Sequence, residues 1–130
     1  MEGSDMMRLA GRWRIVAMEL WNTDAIELVG PGFLEFDRDR LGRLGFIAVE
    51  GQLDWREVVR DGHPGVEFSW EGDDDGDPVT GRGWAVLTGE DTLDGRIFFH
   101  RGDDSGFRVV RDRPARKTAD PVRRAGRGRR

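Results

Sequence analysis

Eight short runs of β-favouring residues, separated by glycine- and aspartate-rich junctions, leave this chain few ways to fold. The runs are Arg12–Glu19, Gly32–Phe36, Gly42–Glu50, Gln52–Arg60, Gly65–Glu71, Arg82–Thr88, Thr92–His100 and Gly106–Asp112. The junctions DRDRLG, EG, RDGHPG, EGDDDGDPVTG, GED and RGDDSG supply or tolerate the dihedrals that reverse a chain. Loops this short favour antiparallel neighbours, because parallel pairing needs a crossover of about a dozen residues. Only WNTDAIELVGPG carries helix signals: Asp24 as cap, Glu27 three residues on, and Gly30-Pro31-Gly32 as a stop.

Period-two alternation sorts the two faces of each run. Trp13, Ile15 and Ala17 share one side of the first, opposite Arg12 and Arg14. Leu53 and Trp55, then Val66, Phe68 and Trp70, then Trp84 and Val86, form the next inward sets. Ile97 and Phe99, with Phe107 and Val109, complete the series. Eight meandering strands, each apolar on one side, bury that side by closing into a barrel, which also removes exposed edges. A two-sheet sandwich satisfies the same alternation.

At 130 residues the chain suits one domain, divided here into a leader (1–8), a β domain (9–112) and a basic tail (113–130). It contains no cysteine, which excludes a thiol nucleophile or a disulfide framework, and two histidines, too few for a multi-histidine metal centre. No apolar run reaches the roughly 20 residues of a membrane span, and MEGSDMMR is too short and polar for a secretory signal, so the cytoplasm is expected. The net charge of −4 is unevenly spread: residues 111–130 carry +7, leaving −11 on residues 1–110. The tail lacks apolar periodicity and is expected to be disordered. Nucleic-acid binding is disfavoured, because no aromatic side chain is interleaved with its arginines and the acidic body repels a polyanion.

Gly11-Arg12-Trp13 at the head of the first run resembles the Gly-x-Trp signature of the lipocalin and wider calycin barrels. The resemblance implies an all-β, eight-stranded up-and-down antiparallel barrel, with one short helical turn between the first two strands. It further implies that Gly11 admits the chain and Trp13 plugs the closed end beneath an arginine of the last strand. Arg111, in register with Phe107 and Val109, is the candidate for that arginine, with Arg108 second. The chain is similar to small intracellular members of the group rather than to secreted transporters, since it has no disulfides.

That resemblance also implies noncovalent binding of a small apolar ligand, lined by Trp55, Phe68, Trp70, Trp84 and Phe99. An interior filled by its own aromatics, serving a structural or protein-interaction module, is the alternative. Val16, Met18, Ala85, Leu87, Phe98 and Val110 fall on the outer register of strands one, six, seven and eight, which predicts an apolar patch and a homodimer through it. No cofactor and no catalysis are expected. His100 in HRGDDSG lies on an outer face without a cleft, and His63 is a turn residue. EGDDDGDP spaces Asp73, Asp75 and Asp77 as a calcium loop does. However, Pro78 replaces the required glycine and Trp84 the bidentate glutamate, so it is read as a solvated turn.

Overall fold

A computed structural model describes residues 6–112. They form a closed barrel of eight antiparallel strands in simple up-and-down order. The strands are β1 (Gly11–Met18), β2 (Phe33–Phe36), β3 (Leu41–Phe46), β4 (Val49–Arg60), β5 (His63–Asp74), β6 (Asp77–Gly89), β7 (Thr92–Phe99) and β8 (Asp104–Arg111). Closure is direct: Trp13 pairs with Leu34 on β2 and with Arg111 on β8. The barrel, not the sandwich, is therefore the solution. The basic tail lies outside the described residues.

Two short helices accompany the strands. The turn expected between β1 and β2 is α2 (Thr23–Ile26), but its cap is Asn22, whose side chain accepts from the Ala25 N–H at 2.9 Å. Glu27 is left to pair with Arg14 at 2.9 Å. The other, α1 (Met6–Leu9), precedes β1 and has no counterpart in the sequence reading.

The hairpins are tighter than their sequences suggest. Asp61-Gly62 and Asp75-Gly76 each place two consecutive residues at positive φ, the conformation that matches the twist of paired strands. The flanking residues join the ladder, so that β4 and β5 reach 12 residues and β6 reaches 13. The run expected to continue from Gly42 to Glu50 is instead broken at Ile47-Ala48, and Glu50-Gly51 lies within β4. Ile47 adopts φ 59°, a costly state for a β-branched residue. Its N–H donates to the Ile26 carbonyl at 2.7 Å, and its side chain packs on the core, so tertiary contacts hold the turn.

Inward volume sets the register of β6. A β-carbon on Gly83 would lie 2.4 Å from Phe68 Cζ, and one on Gly81 would meet first the Phe98 carbonyl oxygen of β7 and then, at 2.7 Å, Trp70 Nε1. Glycine is therefore the residue that fits inward at both positions, and alternation then carries Ala85 and Leu87 into the core. Trp84 and Val86, expected inside, take the outer register: Trp84 lies beneath the Arg60 guanidinium at 3.9 Å, while Val86, outside the core cluster, is still buried and packs against Gly65.

A second reversal occurs in β1, where a bulge between Ile15 and Ala17 shifts the register against β8. Ala17 is turned to solvent and Met18 packs on the core. The proposed dimer patch thus loses Ala85, Leu87 and Met18 to the interior, leaving Val16 exposed and Phe98 and Val110 half-buried. They no longer make one apolar face.

Candidate functional site at the lid end of the barrel

The two ends of the barrel are built differently. In an up-and-down barrel alternate turns gather at opposite ends. α1 joins the turns around Asp37–Arg40, Asp61-Gly62 and Glu90-Asp91 at one end. The long β1–β2 connection joins Ile47-Ala48, Asp75-Gly76 and the turn after Phe99 at the other.

The α1 end is sealed. Trp13 is 0% exposed, and its Nε1–H donates to the Leu9 carbonyl at 2.9 Å. The Arg111 guanidinium lies 4.0 Å above the indole centroid. The same guanidinium donates to the Ala10 and Arg8 carbonyls, both at 2.6 Å. Trp13 and Arg111 together satisfy carbonyls that the end of a helix leaves without intrahelical partners. Gly11 makes this possible, because at φ 119° a β-carbon would stand 2.7 Å from Arg111 Nη1. Trp55 and Phe68 pack in the same half through Phe36, with centroid distances of 5.6 and 5.9 Å. The Trp55 Nε1–H is committed to the Asp37 carbonyl at 2.9 Å.

The lid end is covered rather than sealed. Ile26 of α2 is buried, but Met18, Trp21, Ile47, Val79 and Phe99 around it are only partly so. The lid segment is tied to the barrel by bonds that include Leu20 N–H to Ser105 Oγ at 3.2 Å, Glu19 N–H to the Gly106 carbonyl at 2.9 Å and Ile15 N–H to the Gly32 carbonyl at 2.9 Å. From the mouth inward the aromatic rings form a chain. Trp21 meets Phe46 at 6.0 Å, Phe46 meets Phe99 at 6.1 Å, and Phe99 meets Trp70 at 5.2 Å with the planes at 87°. Trp70 is 3% exposed, and its Nε1–H has no hydrogen-bond partner among the described residues.

Of the five residues expected to line a ligand site, Trp70 and Phe99 therefore come together at the lid end. Trp55 and Phe68 belong to the packed opposite half, and Trp84 is outside. Phe46, Trp21 and Val79 complete the mouth and escaped the sequence reading. Phe46 was legible by alternation with Leu44; Trp21 lies in a loop, where periodicity has nothing to report.

Glu19 anchors the start of the lid. Its Oε1 accepts from the Gly106 N–H at 3.2 Å and from Arg96 Nη2 at 2.9 Å. The Gly106 bond first, and then Arg96, hold this carboxyl below the usual glutamate range. A carboxyl that is more acidic in the folded state stabilises that state above its unfolded pKa, and this contribution is lost as pH falls through the folded value. Lid anchorage is therefore expected to be constant near neutrality and to weaken only on acidification below the usual glutamate range. Hydrogen-exchange protection at Leu20 should fall in that window, and Glu19→Gln should abolish the step. Identical pH profiles in the two proteins would refute this role.

Concavities on the outer wall of the described residues include ones of about 800, 840 and 470 Å3. The first holds His100 together with Arg43, Arg82 and several carboxylates. Among the described residues no three histidine or carboxylate side chains gather as a metal site would require. The second is lined by Val29 and Pro31 of the lid, by Ile47 and Ala48, and by Phe33, Phe46 and Val79. It adjoins the mouth. No helix among the described residues is long and apolar enough to cross a membrane.

No protein-family model matches the chain, nor does any curated protein or solved structure. The closed eight-stranded antiparallel barrel is consistent with a lipocalin-like fold.

Proposed function

We propose that this is a lipocalin-like protein that binds a small, largely apolar molecule noncovalently at the lid end of its barrel. The observation that carries the reading is the asymmetry of the two ends. One is closed by fully buried Trp13 under Arg111, while the other has half-buried apolar side chains beneath a four-residue helix. Half-buried side chains are displaced at lower cost than fully buried ones, so the lid end is where a ligand gains access. The interior is packed, with glycines set against aromatics, so binding displaces Phe99 and its neighbours instead of filling a standing void. Apolar ligand surface then contributes about 25 cal/mol per Å2 buried, less the cost of moving the lid.

Titration with the apolar fluorophore 1-aminoanthracene tests the reading. Saturable binding at one site per chain is expected, abolished by Val79→Arg at the mouth and unaffected by Val16→Arg on the outer wall. Non-saturable binding, or equal binding by the two variants, would overturn it. A second reading, a protein-interaction module, is favoured by the outward rings of Trp84 and Phe98, each beneath an arginine at 3.9 and 4.6 Å. It becomes the better account if the fluorophore does not bind.

A further inference from the structure

We infer that the ligand carries a hydrogen-bond acceptor, such as a carbonyl or ether oxygen, and that the Trp70 Nε1–H receives it; this rests on the binding reading above. Buried N–H groups are nearly always paired, because an orphan forfeits its hydration without compensation. Three of the five tryptophans place this donor informatively. The indoles of Trp13 and Trp55 are bonded to backbone carbonyls at 2.9 Å, whereas Trp70, buried as deeply, is not. Among the described residues no other buried side-chain nitrogen or oxygen lacks a partner: the one buried polar residue there, Ser105, both donates to the Gly106 carbonyl and accepts from Leu20 N–H.

The position of the donor matches a ligand admitted from the mouth. Trp70 pairs with Gly81 across β5 and β6, and its Nε1 lies where a β-carbon on residue 81 would intrude. Gly81 in turn pairs with Phe99, the half-buried ring that stands between Trp70 and Phe46. Displacing Phe99 toward the mouth opens the indole edge to an incoming molecule. An apolar body takes the place of the ring, and one acceptor atom meets the donor. A site built to hydrogen-bond its ligand discriminates against an analogue lacking the group, because the buried donor is then left unpaired.

Acetophenone and isopropylbenzene, close in shape and differing in the carbonyl, serve as paired probes in a titration followed by 1H–15N spectra of the indole groups. The ketone is expected to bind about 10-fold more tightly, as one net hydrogen bond implies. It should move the Trp70 indole proton downfield, with the signals of Trp13 and Trp55 unchanged. Trp70→Phe should bind both probes alike. Because the indole shift is read in the unaltered protein, the test does not depend on that variant folding. If both probes bind equally and the Trp70 signal stays in place, the acceptor inference fails while the binding reading stands. If neither probe binds and 1-aminoanthracene also fails to bind, the binding reading fails and takes this inference with it.

Discussion

Trp13→Ala is expected to destabilise the fold by about 3–5 kcal/mol, the range for removing a large aromatic from a site that cannot collapse. For a domain whose total stability is of the order of 5–15 kcal/mol, this is enough to leave a substantial unfolded fraction. The side chain is fully buried, donates to Leu9 and supports the guanidinium of Arg111, so the loss includes a cavity, a hydrogen bond and a cation–π contact. Urea unfolding of Trp13→Leu, which removes the aromatic face, Arg111→Ala and the double variant isolates the contact between them. A coupling of about 0.5–2 kcal/mol is expected between the two positions. Arg111→Lys should not restore it, since a single ammonium lacks the planar fork that reaches the Arg8 and Ala10 carbonyls together. A cost below about 1 kcal/mol for Trp13→Ala would show that the plug is ornamental to the barrel, contrary to typical core truncations.

Gly83→Ala probes the opposite hazard, excess volume. The added carbon would lie 2.4 Å from Phe68 Cζ and 3.0 Å from the Arg96 carbonyl. Overpacking of this kind costs about 1–3 kcal/mol. Combining it with Phe68→Leu should recover part of the loss, because the shorter side chain vacates the space that the methyl needs. The double variant is then more stable than the sum of the single effects predicts. Strict additivity in denaturant unfolding would mean that Phe68 and Gly83 do not share the volume assigned to them, and the explanation of the β6 register would fall with it.

That register is the clearest case of a decision made away from the segment concerned. In Arg82–Thr88 both alternations offer two apolar residues, Trp84 with Val86 or Ala85 with Leu87. Hydrophobicity favours the tryptophan inside. The structure puts it outside, because Phe68 and Trp70 already occupy the space before β6. The candidate site suffered the same way: Trp84 left it, while Trp21 and Val79, one in a loop and one where a turn had been expected, entered its rim.

Alternation along β4, β5, β7 and β8, the Asp-Gly turns and the Gly11-Arg12-Trp13 start were enough to specify antiparallel strands with one apolar face, since each acts over a few residues and needs no distant partner. Closure into a barrel rather than a sandwich was decided by the pairing of β1 with β8. The placement of Arg111 over Trp13 also follows from register counted along one strand, given the resemblance that suggested it. What required the folded molecule was everything set by contact across the interior. The bulge that exchanges Ala17 for Met18, the Ile47 turn held by the lid and the outward swing of Trp84 are of this kind. So is the unpartnered indole of Trp70. Local dihedral preference and period-two patterning are encoded residue by residue. The filling of a shared volume, and the satisfaction of a donor inside it, depend on side chains that meet only when the barrel closes.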